Sequence, residues 1–302
     1  MYKLCETQKD NKINKGVANP QKSLNTVNSI HPTIRLRDRR REIRDSIIRS
    51  EFFSLPQISL FPLDPRIKES ALSGGFGIFG NGGCGKTTFA YHIARELMKD
   101  EDIQLKVVDK AQNWIHEFDH ILYQPIDYDT ITEGKLYFDD QSIIFDIRKI
   151  VEPKLLRECV KNIVRLDYLY HQELKSEGLM DRHIIYVVEE CQSILGSVGI
   201  NSVWNTYITD GRNYNISFIF IGRRMAQLSA KVRGNLTSYI WGRTIESIDL
   251  KRIYDITGSE TVVRLLPRLN RGQFLFYDGG KTFLIEPIPK FEPIGKPERW
   301  CN

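Results

Sequence analysis

The chain has 302 residues, of which 41% are hydrophobic and 27% are charged, proportions that exclude a wholly disordered or collagen-like protein. Its net charge of +5 is unevenly spread: residues 1–50 carry +7, residues 51–222 carry −8, residues 223–271 carry +6 and residues 272–302 carry none. Two basic stretches therefore surround an acidic middle, a pattern that bears on the partners of the chain and not on its fold.

The N-terminal stretch differs in composition from the rest of the chain. Residues 1–33 are polar, rich in Asn, Lys and Ser, and are predicted to form a flexible tail. Residues 34–70 are predicted to form a basic helix followed by a proline-containing linker that packs on the next domain. The helix over 35–50 bears seven arginines. It is either an arm that binds nucleic acid or a partner, or a solvated helix in which acidic residues pair with those arginines.

Residues 71–302 alternate between strand and helix patterns and are predicted to form one core. Predicted strands cover 76–79, 105–108, 143–147, 184–188, 216–221, 239–241 and 272–277, and predicted helices cover 86–98 and 152–177. The unbroken apolar run 184–188 is typical of a strand covered on both faces. The alternation predicts an α/β fold, in which a mostly parallel central sheet has helices on both faces.

The cysteines and the first residues indicate the compartment. The five cysteines are Cys5, Cys84, Cys159, Cys191 and Cys301, and no two of them have the spacing of metal ligands. This usage favours a reducing compartment over a disulfide framework or a zinc site. The sequence contains no run of about 18 apolar residues, so no transmembrane segment is predicted. Residues 1–16 lack the apolar core of a secretory signal. We therefore expect a cytoplasmic protein, or one carried inside a particle assembled there.

A glycine-rich segment between a predicted strand and a predicted helix fits the pattern G-x-x-x-x-G-K-[ST] without a gap. Its residues are Gly80-Asn81-Gly82-Gly83-Cys84-Gly85-Lys86-Thr87-Thr88. Glycines let successive backbone N–H groups point at one phosphate, and the start of the helix adds its positive end. Lys86 is predicted to reach the β- and γ-phosphates of ATP, Thr87 to bind Mg²⁺ and Thr88 to contact the α-phosphate.

Two adjacent acids end the apolar strand 184–188, about 100 residues after the glycine-rich segment. In an ATPase of this architecture, a strand end beside the phosphate loop holds such acids. Glu189 is predicted to bind Mg²⁺ directly or through water, and Glu190 to orient and deprotonate the attacking water. Because Asp is usual at the first position, Glu189 is a departure from the common pattern.

The order of the later segments resembles the FtsK/HerA superfamily of DNA-pumping P-loop ATPases over roughly residues 74–280. Gly211-Arg212 precedes the strand 216–221, Gly222-Arg223-Arg224 follows it, and Asn235 and Ser247-Ile248-Asp249 come later. The resemblance implies a RecA-like (ASCE) P-loop NTPase fold that uses ATP and Mg²⁺. It assigns the nucleotide, metal and catalytic roles to Lys86, Thr87, Glu189 and Glu190.

The same resemblance leaves the roles of two arginines open. Arg212 aligns with an arginine that can reach the γ-phosphate bound by a neighbouring subunit. Arg223 stands where the superfamily has a sensor glutamine, so it could sense the γ-phosphate or stabilise the transition state. Arg224, Lys231 and Arg233 lie in the +6 stretch and are predicted to contact DNA phosphates; the alternative is a surface or subunit-interface position.

The resemblance and the size of the chain together predict an ATP-hydrolysing translocase of double-stranded DNA that works as a hexameric or pentameric ring. A compact motor of this kind is similar to the genome-packaging ATPases of tailless, membrane-containing viruses. This implies host cytoplasm or a virion, with the N-terminal arm contacting capsid or membrane-vertex proteins. The alternatives are a plasmid or host HerA-like or conjugative translocase, a Zot-like phage assembly or secretion ATPase, and a nucleotide switch that does not move DNA.

Overall fold

The computed structural model describes residues 32–115, 118, 121–127, 129–130, 141–180, 182–195, 201–285 and 287, with the backbone alone at 32–40, 43, 48 and 201–203. The helices are α1 (Pro32–Ser54), α2 (Pro65–Leu72), α3 (Lys86–Leu97), α4 (Pro153–Glu177), α5 (Cys191–Leu195), α6 (Asn201–Asp210), α7 (Ala230–Gly234), α8 (Ser247–Thr257) and α9 (Glu260–Leu265). The strands are β1 (Gln57–Ile58), β2 (Gly75–Phe79), β3 (Ile103–Asp109), β4 (Leu122–Pro125), β5 (Ile143–Asp146), β6 (His183–Val188), β7 (Ile216–Gly222), β8 (Leu236–Trp241), β9 (Phe274–Tyr277) and β10 (Thr282–Ile285).

The strands form one sheet in the order β1-β10-β9-β8-β2-β7-β6-β3-β5-β4. The run from β8 to β4 is parallel throughout, and β9 pairs antiparallel with both β8 and β10. The predicted α/β class with a mostly parallel sheet is confirmed. Because parallel strands present their carboxyl ends at one edge, the segments that follow β2, β7, β6 and β3 meet there.

Both faces of the central strands are buried, which accounts for their unbroken apolar runs. Along β6, Ile184, Tyr186 and Val188 pack into one core cluster while Ile185 and Val187 pack into the other. The first cluster includes the buried face of α4, and the second includes residues of α2 and α3. A strand alternates its side chains between faces, so a strand covered on both sides has no polar positions to reveal its period.

The stretch predicted as a linker contains a strand and a helix of the core. Strand β1 extends the sheet by pairing in parallel with β10. In α2, Asp64 accepts a hydrogen bond from the backbone N–H of Arg66 at 3.0 Å, Pro65 occupies the first turn, and Ile67 and Ala71 are fully buried. Pro65 therefore marks the entry to a short helix. The pairing of β1 depends on a strand more than 220 residues away.

The chain divides into two compact units, residues 1–46 and residues 47–302, so the boundary falls within α1. Helix α1 includes the predicted basic helix over 35–50, and its described arginines Arg41, Arg44 and Arg49 are exposed. Residues 1–31 of the predicted tail lie outside the described residues. The domain limits at 33 and 70 stay a prediction. Within the part of the chain that the structure describes, no helix is long and apolar enough to cross a bilayer.

Candidate nucleotide site

The glycine-rich segment connects β2 to α3 in a tight turn that only glycine fits at two positions. Gly80 has a φ of 150°, and a Cβ there would lie 3.1 Å from the carbonyl carbon of Gly242 and 3.2 Å from the carbonyl oxygen of Arg243. Gly85 is the N-cap of α3 and has a left-handed φ of 102°, a conformation that costs other residues energy. At Gly83, by contrast, a Cβ would meet nothing within 4 Å, so the turn borders open space.

Hydrogen bonds to neighbouring loops fix this turn. The N–H of Asn81 donates to the carbonyl of Arg243 at 2.8 Å, and the N–H of Gly272 donates to the carbonyl of Cys84 at 3.0 Å. The Asn81 side-chain oxygen accepts from the N–H of Ile245 at 3.3 Å. The Cys84 side chain is itself buried, which raises the pKa of its thiol. The structure thus gives Cys84 a packing role in the loop predicted to bind nucleotide.

Lys86 begins α3 and turns its ammonium group back onto the loop. Its Nζ donates to the carbonyl oxygen of Asn81 at 3.0 Å. Burial lowers the pKa of Lys86, while the charges of nearby groups that include Glu190 act in the opposite direction. A partly desolvated ammonium beside open space gains by pairing with an anion, so this lysine is placed to receive phosphate oxygens.

Glu189 follows β6 and is almost completely buried, with 3% of its surface exposed. Its Oε2 accepts a long hydrogen bond of 3.5 Å from the side-chain amide of Asn113. No hydrogen bond within the described residues reaches its Oε1. Burial raises the pKa of the Glu189 carboxyl, and the polar side chains of Thr87, Trp114 and Asn113 oppose this rise only in part.

Glu190 has different contacts from Glu189, and its backbone turns sharply. Its φ of 47° is in the left-handed region, which L residues rarely adopt. The Oε1 of Glu190 accepts from the Nε of Arg223 at 3.2 Å, and its Oε2 accepts from the side-chain amide of Gln192. The adjacent acids therefore occupy different environments: Glu189 is enclosed near Thr87, and Glu190 is half-exposed and held by two donors.

Two further side chains at this edge were missed by the sequence analysis. Asp109 ends β3 and is 1% exposed, and it accepts hydrogen bonds from the N–H groups of Ala111 and Trp114, both at 2.9 Å. This loop brings Asn113 to Glu189. In the sequence, the one signal of this site was the acid Asp109 directly after the strand predicted over 105–108. The contact of Asn113 with Glu189 depends on β3 lying beside β6 in the sheet.

Comparisons with solved structures reveal proteins with the same fold. The genome-packaging NTPase B204 of Sulfolobus turreted icosahedral virus 2, solved with AMPPCP, matches with a TM-score of 0.55 at 14% identity, over 72% of this chain and 98% of that chain. The DNA-packaging ATPase B204 of Sulfolobus turreted icosahedral virus matches with a TM-score of 0.52 at 16% identity, over 72% and 98%. VirB4 of Thermoanaerobacter pseudethanolicus matches with a TM-score of 0.54 at 14% identity, over 71% and 89%.

The chain shares its fold with these two packaging ATPases and with VirB4. At these identities the likeness concerns the fold alone. No protein-family model matches the sequence, and no curated protein sequence matches it.

The two candidate arginines lie at opposite edges of the sheet. Arg223 follows the carboxyl end of β7, beside Glu190, and 65% of its side chain is exposed. Arg212 is exposed in the 3₁₀ turn Gly211–Tyr214 that precedes β7. Because β7 is seven residues long, its ends are about 20 Å apart. Arg212 therefore cannot reach the phosphate loop of its own chain.

The three predicted DNA contacts have different environments in the structure. Arg224 pairs with the buried carboxylate of Asp249, with Nε and Oδ2 3.0 Å apart. Arg233 is partly buried, donates to the carbonyl of Leu228, and has its pKa lowered by burial. Lys231 is exposed on α7. The structure thus gives Arg224 and Arg233 contacts within the chain and leaves Lys231 the most accessible of the three.

The residues at the phosphate loop fit a nucleotide with a magnesium ion. Among the described residues, no group of three or more His, Cys, Asp and Glu side chains is placed to hold a metal. Mg²⁺ in nucleotide sites commonly takes one or two protein oxygens and fills its shell with phosphate oxygens and water. The hydroxyl of Thr87 and the unpaired Oε1 of Glu189 are suited to that arrangement.

Proposed function

We propose that this chain is a Mg²⁺-dependent ATPase that moves double-stranded DNA, and that it does so in genome packaging. The observation that supports hydrolysis best is the convergence at one sheet edge of Lys86, the Glu189-Glu190 pair and Arg223. A structural glycine turn would not require a partly desolvated ammonium, a buried carboxylate with one oxygen unpaired among the described residues and a second, partly exposed carboxylate.

In the proposed mechanism, the loop of residues 80–88 binds the triphosphate through backbone N–H groups and Lys86, and Thr88 contacts the α-phosphate. Thr87 and Glu189 hold Mg²⁺, which neutralises charge on the phosphate oxygens when bound. Glu190 accepts the proton of the attacking water as a general base. Its two present donors, Gln192 and Arg223, keep its carboxylate at the mouth of the site.

Arg223 and Arg212 take separate roles in this proposal. Arg223 lies in its own chain's site and can stabilise negative charge at the γ-phosphate once it leaves Glu190. Arg212 is exposed at the opposite edge, so it can serve only a site on another copy of the chain. This arrangement fits a head-to-tail ring of identical subunits, which we propose as a hexamer or pentamer.

For DNA, we propose that Lys231 contacts phosphates and that Arg224 and Arg233 support the surface around it. The exposed arginines of α1, namely Arg41, Arg44 and Arg49, suit a second polyanion or a capsid or membrane-vertex protein. Both surfaces would operate in the host cytoplasm or in the virion.

Genome packaging is favoured because the chain spans 98% of two packaging ATPases with TM-scores above 0.5. A translocase of conjugation or secretion type is the second candidate, since VirB4 has a similar TM-score of 0.54. Packaging activity would require translocation of long duplex DNA into a capsid, and transfer of a nicked strand would support the alternative.

The first experiment measures ATP hydrolysis and nucleotide binding in Mg²⁺ buffer. Lys86→Ala should abolish turnover because it removes the ammonium that binds the β- and γ-phosphates. Lys99→Ala is the matched control, since Lys99 is a surface lysine just past α3 that pairs with Glu96. Turnover at the wild-type level in Lys86→Ala, or none in the wild type, would contradict the proposed site.

A further inference from the structure

Two buried polar atoms without hydrogen-bond partners lie at the metal side of the site. Within the described residues, neither the Oε1 of Glu189 nor the indole Nε1 of Trp114 has a partner. One is an acceptor and the other a donor, so each could satisfy the other after a small movement or through a metal-bound water. Leaving both unpaired costs free energy, and such a cost in a folded protein calls for a functional explanation.

Trp114 and its neighbour Asn113 approach the same carboxylate. Asn113 donates to the Oε2 of Glu189 at 3.5 Å. Trp114 is among the residues whose polar side chains favour the charged form of Glu189, against the larger opposing effect of burial. Trp114 directly follows Asn113 in the loop that contacts Glu189, and its buried indole N–H has no hydrogen-bond partner among the described residues.

The loop that presents these two donors is fixed from two sides. From the sheet, the Asp109 carboxylate accepts the N–H of Trp114 at 2.9 Å. From the phosphate-binding helix α3, the Tyr91 hydroxyl donates to the carbonyl of Asn113 at 2.7 Å, and the Tyr91 ring packs edge-on against Trp114 with centroids 4.6 Å apart. Trp114 also stacks on Phe118, and its side chain is fully buried.

We propose that Asn113 and Trp114 are positioning residues that hold the Glu189 carboxylate in the orientation in which it binds Mg²⁺ beside Thr87. Asn113 restrains Oε2, and the indole N–H orients the carboxylate so that Oε1 is available to the metal or its water. The inference rests on the proposed nucleotide site, and it adds a link from the phosphate-binding helix through Tyr91 to the metal carboxylate. Groups that orient a metal ligand typically alter metal affinity tenfold or more when removed.

The test compares Trp114→Phe with Trp204→Phe. Both changes keep an aromatic ring and remove an indole N–H that is buried and unpaired among the described residues. Trp204 packs instead against Tyr207 and Phe218. Binding of ADP, followed by calorimetry, is measured across a Mg²⁺ titration and in EDTA, and tryptophan emission is recorded on addition of Mg²⁺ to the ADP complex.

We expect Trp114→Phe to raise the Mg²⁺ concentration needed for half-maximal tightening of ADP binding about tenfold, with ADP affinity in EDTA unchanged. The Mg²⁺-dependent change in emission should persist in Trp204→Phe and disappear in Trp114→Phe. A Mg²⁺ dependence in Trp114→Phe equal to that of the wild type would overturn the proposal.

A second variant keeps the inference testable if Trp114→Phe does not fold. Asn113→Ala changes an exposed side chain and leaves the backbone carbonyl that Tyr91 contacts, so it should fold and still raise the Mg²⁺ requirement. An unchanged requirement in that variant would also overturn the proposal. If the wild type binds ADP and Lys86→Ala does not, while both loop variants behave as wild type, only the positioning role fails. If the wild type binds no nucleotide, the proposed function fails with it.

Discussion

Asp167 makes a buried ion pair that ties together the two strands bearing the acidic residues of the site. Lys106 of β3 and Tyr186 of β6 are direct neighbours in the sheet, and both contact the Asp167 carboxylate, which projects from α4. The Nζ of Lys106 lies 2.7 Å from both carboxylate oxygens, and the Tyr186 hydroxyl donates to one of them. Lys106 is 2% exposed and Asp167 is 1% exposed.

Asp167→Asn should therefore destabilise the fold strongly. The substitution keeps the size of the side chain but removes the charge that compensates a buried ammonium, a change that costs about 3–5 kcal/mol. Folded proteins have a free energy of unfolding of about 5–15 kcal/mol, so this loss would be a large part of the total. The exposed pair Arg252–Asp255 is a control, because its residues are 47% and 46% exposed and Asp255→Asn should cost less than about 1 kcal/mol.

Urea unfolding, followed by circular dichroism, measures the change in the free energy of unfolding for each variant. With a urea slope of about 3 kcal/mol per molar, Asp167→Asn should lower the midpoint by 1 M or more. The triple variant Lys106→Met/Asp167→Leu/Tyr186→Phe replaces all three polar groups by apolar ones and should recover most of the loss, since apolar replacement of a buried pair is often neutral or stabilising. A midpoint for Asp167→Asn within about 0.2 M of the wild-type value, or about 0.6 kcal/mol at this slope, would refute this reasoning.

Two other outcomes follow from the geometry. Glu190→Gln should bind ATP with near-wild-type affinity and hydrolyse it about 10²- to 10⁴-fold more slowly, because it removes the general base. Stopped-flow binding and single-turnover hydrolysis measure the two steps. Loss of ATP binding would mean that Glu190 has another role. Burial beside His171 lowers the pKa of His183 to about 4, so the folded protein favours the neutral imidazole. The free energy of unfolding should therefore fall by about 3 kcal/mol as the pH falls from about 6.5 towards 4. Unfolding at pH 7 and pH 4.5 should show a smaller pH effect in His183→Gln than in wild type, and an equal effect in both would contradict the assignment.

The parts of the fold that the sequence predicted are those set by contiguous residues. The glycine-rich segment specifies its own turn, and the long apolar runs indicate doubly covered strands, so β2, α3, α4, β6 and β7 lie close to their predicted positions. Glu189 and Glu190 were predicted as the acids of the nucleotide site because they directly follow the apolar run of β6. The different environments of these two acids were not predicted, since they depend on the left-handed backbone at Glu190.

The parts that the sequence did not predict depend on contacts between distant segments. Strand β1 is two residues long and exists through its pairing with β10. Asn113 and Trp114 come to Glu189 only because β3 and β6 are neighbours in the sheet. The resemblance assigned Arg212 to the γ-phosphate of a neighbouring subunit, but its distance from the phosphate loop of its own chain became visible only from the direction of β7.

The central claim is that ATP hydrolysis at this phosphate loop is coupled to double-stranded DNA. The most direct measurement is steady-state ATPase activity with and without long duplex DNA over a range of salt concentrations, with Lys86→Ala as the control for contaminating activity. Duplex DNA should stimulate hydrolysis, most strongly at low salt, because phosphate contacts weaken as salt rises. Absence of stimulation at every salt concentration, in a protein that still hydrolyses ATP, would contradict the DNA-translocase account and favour a nucleotide switch.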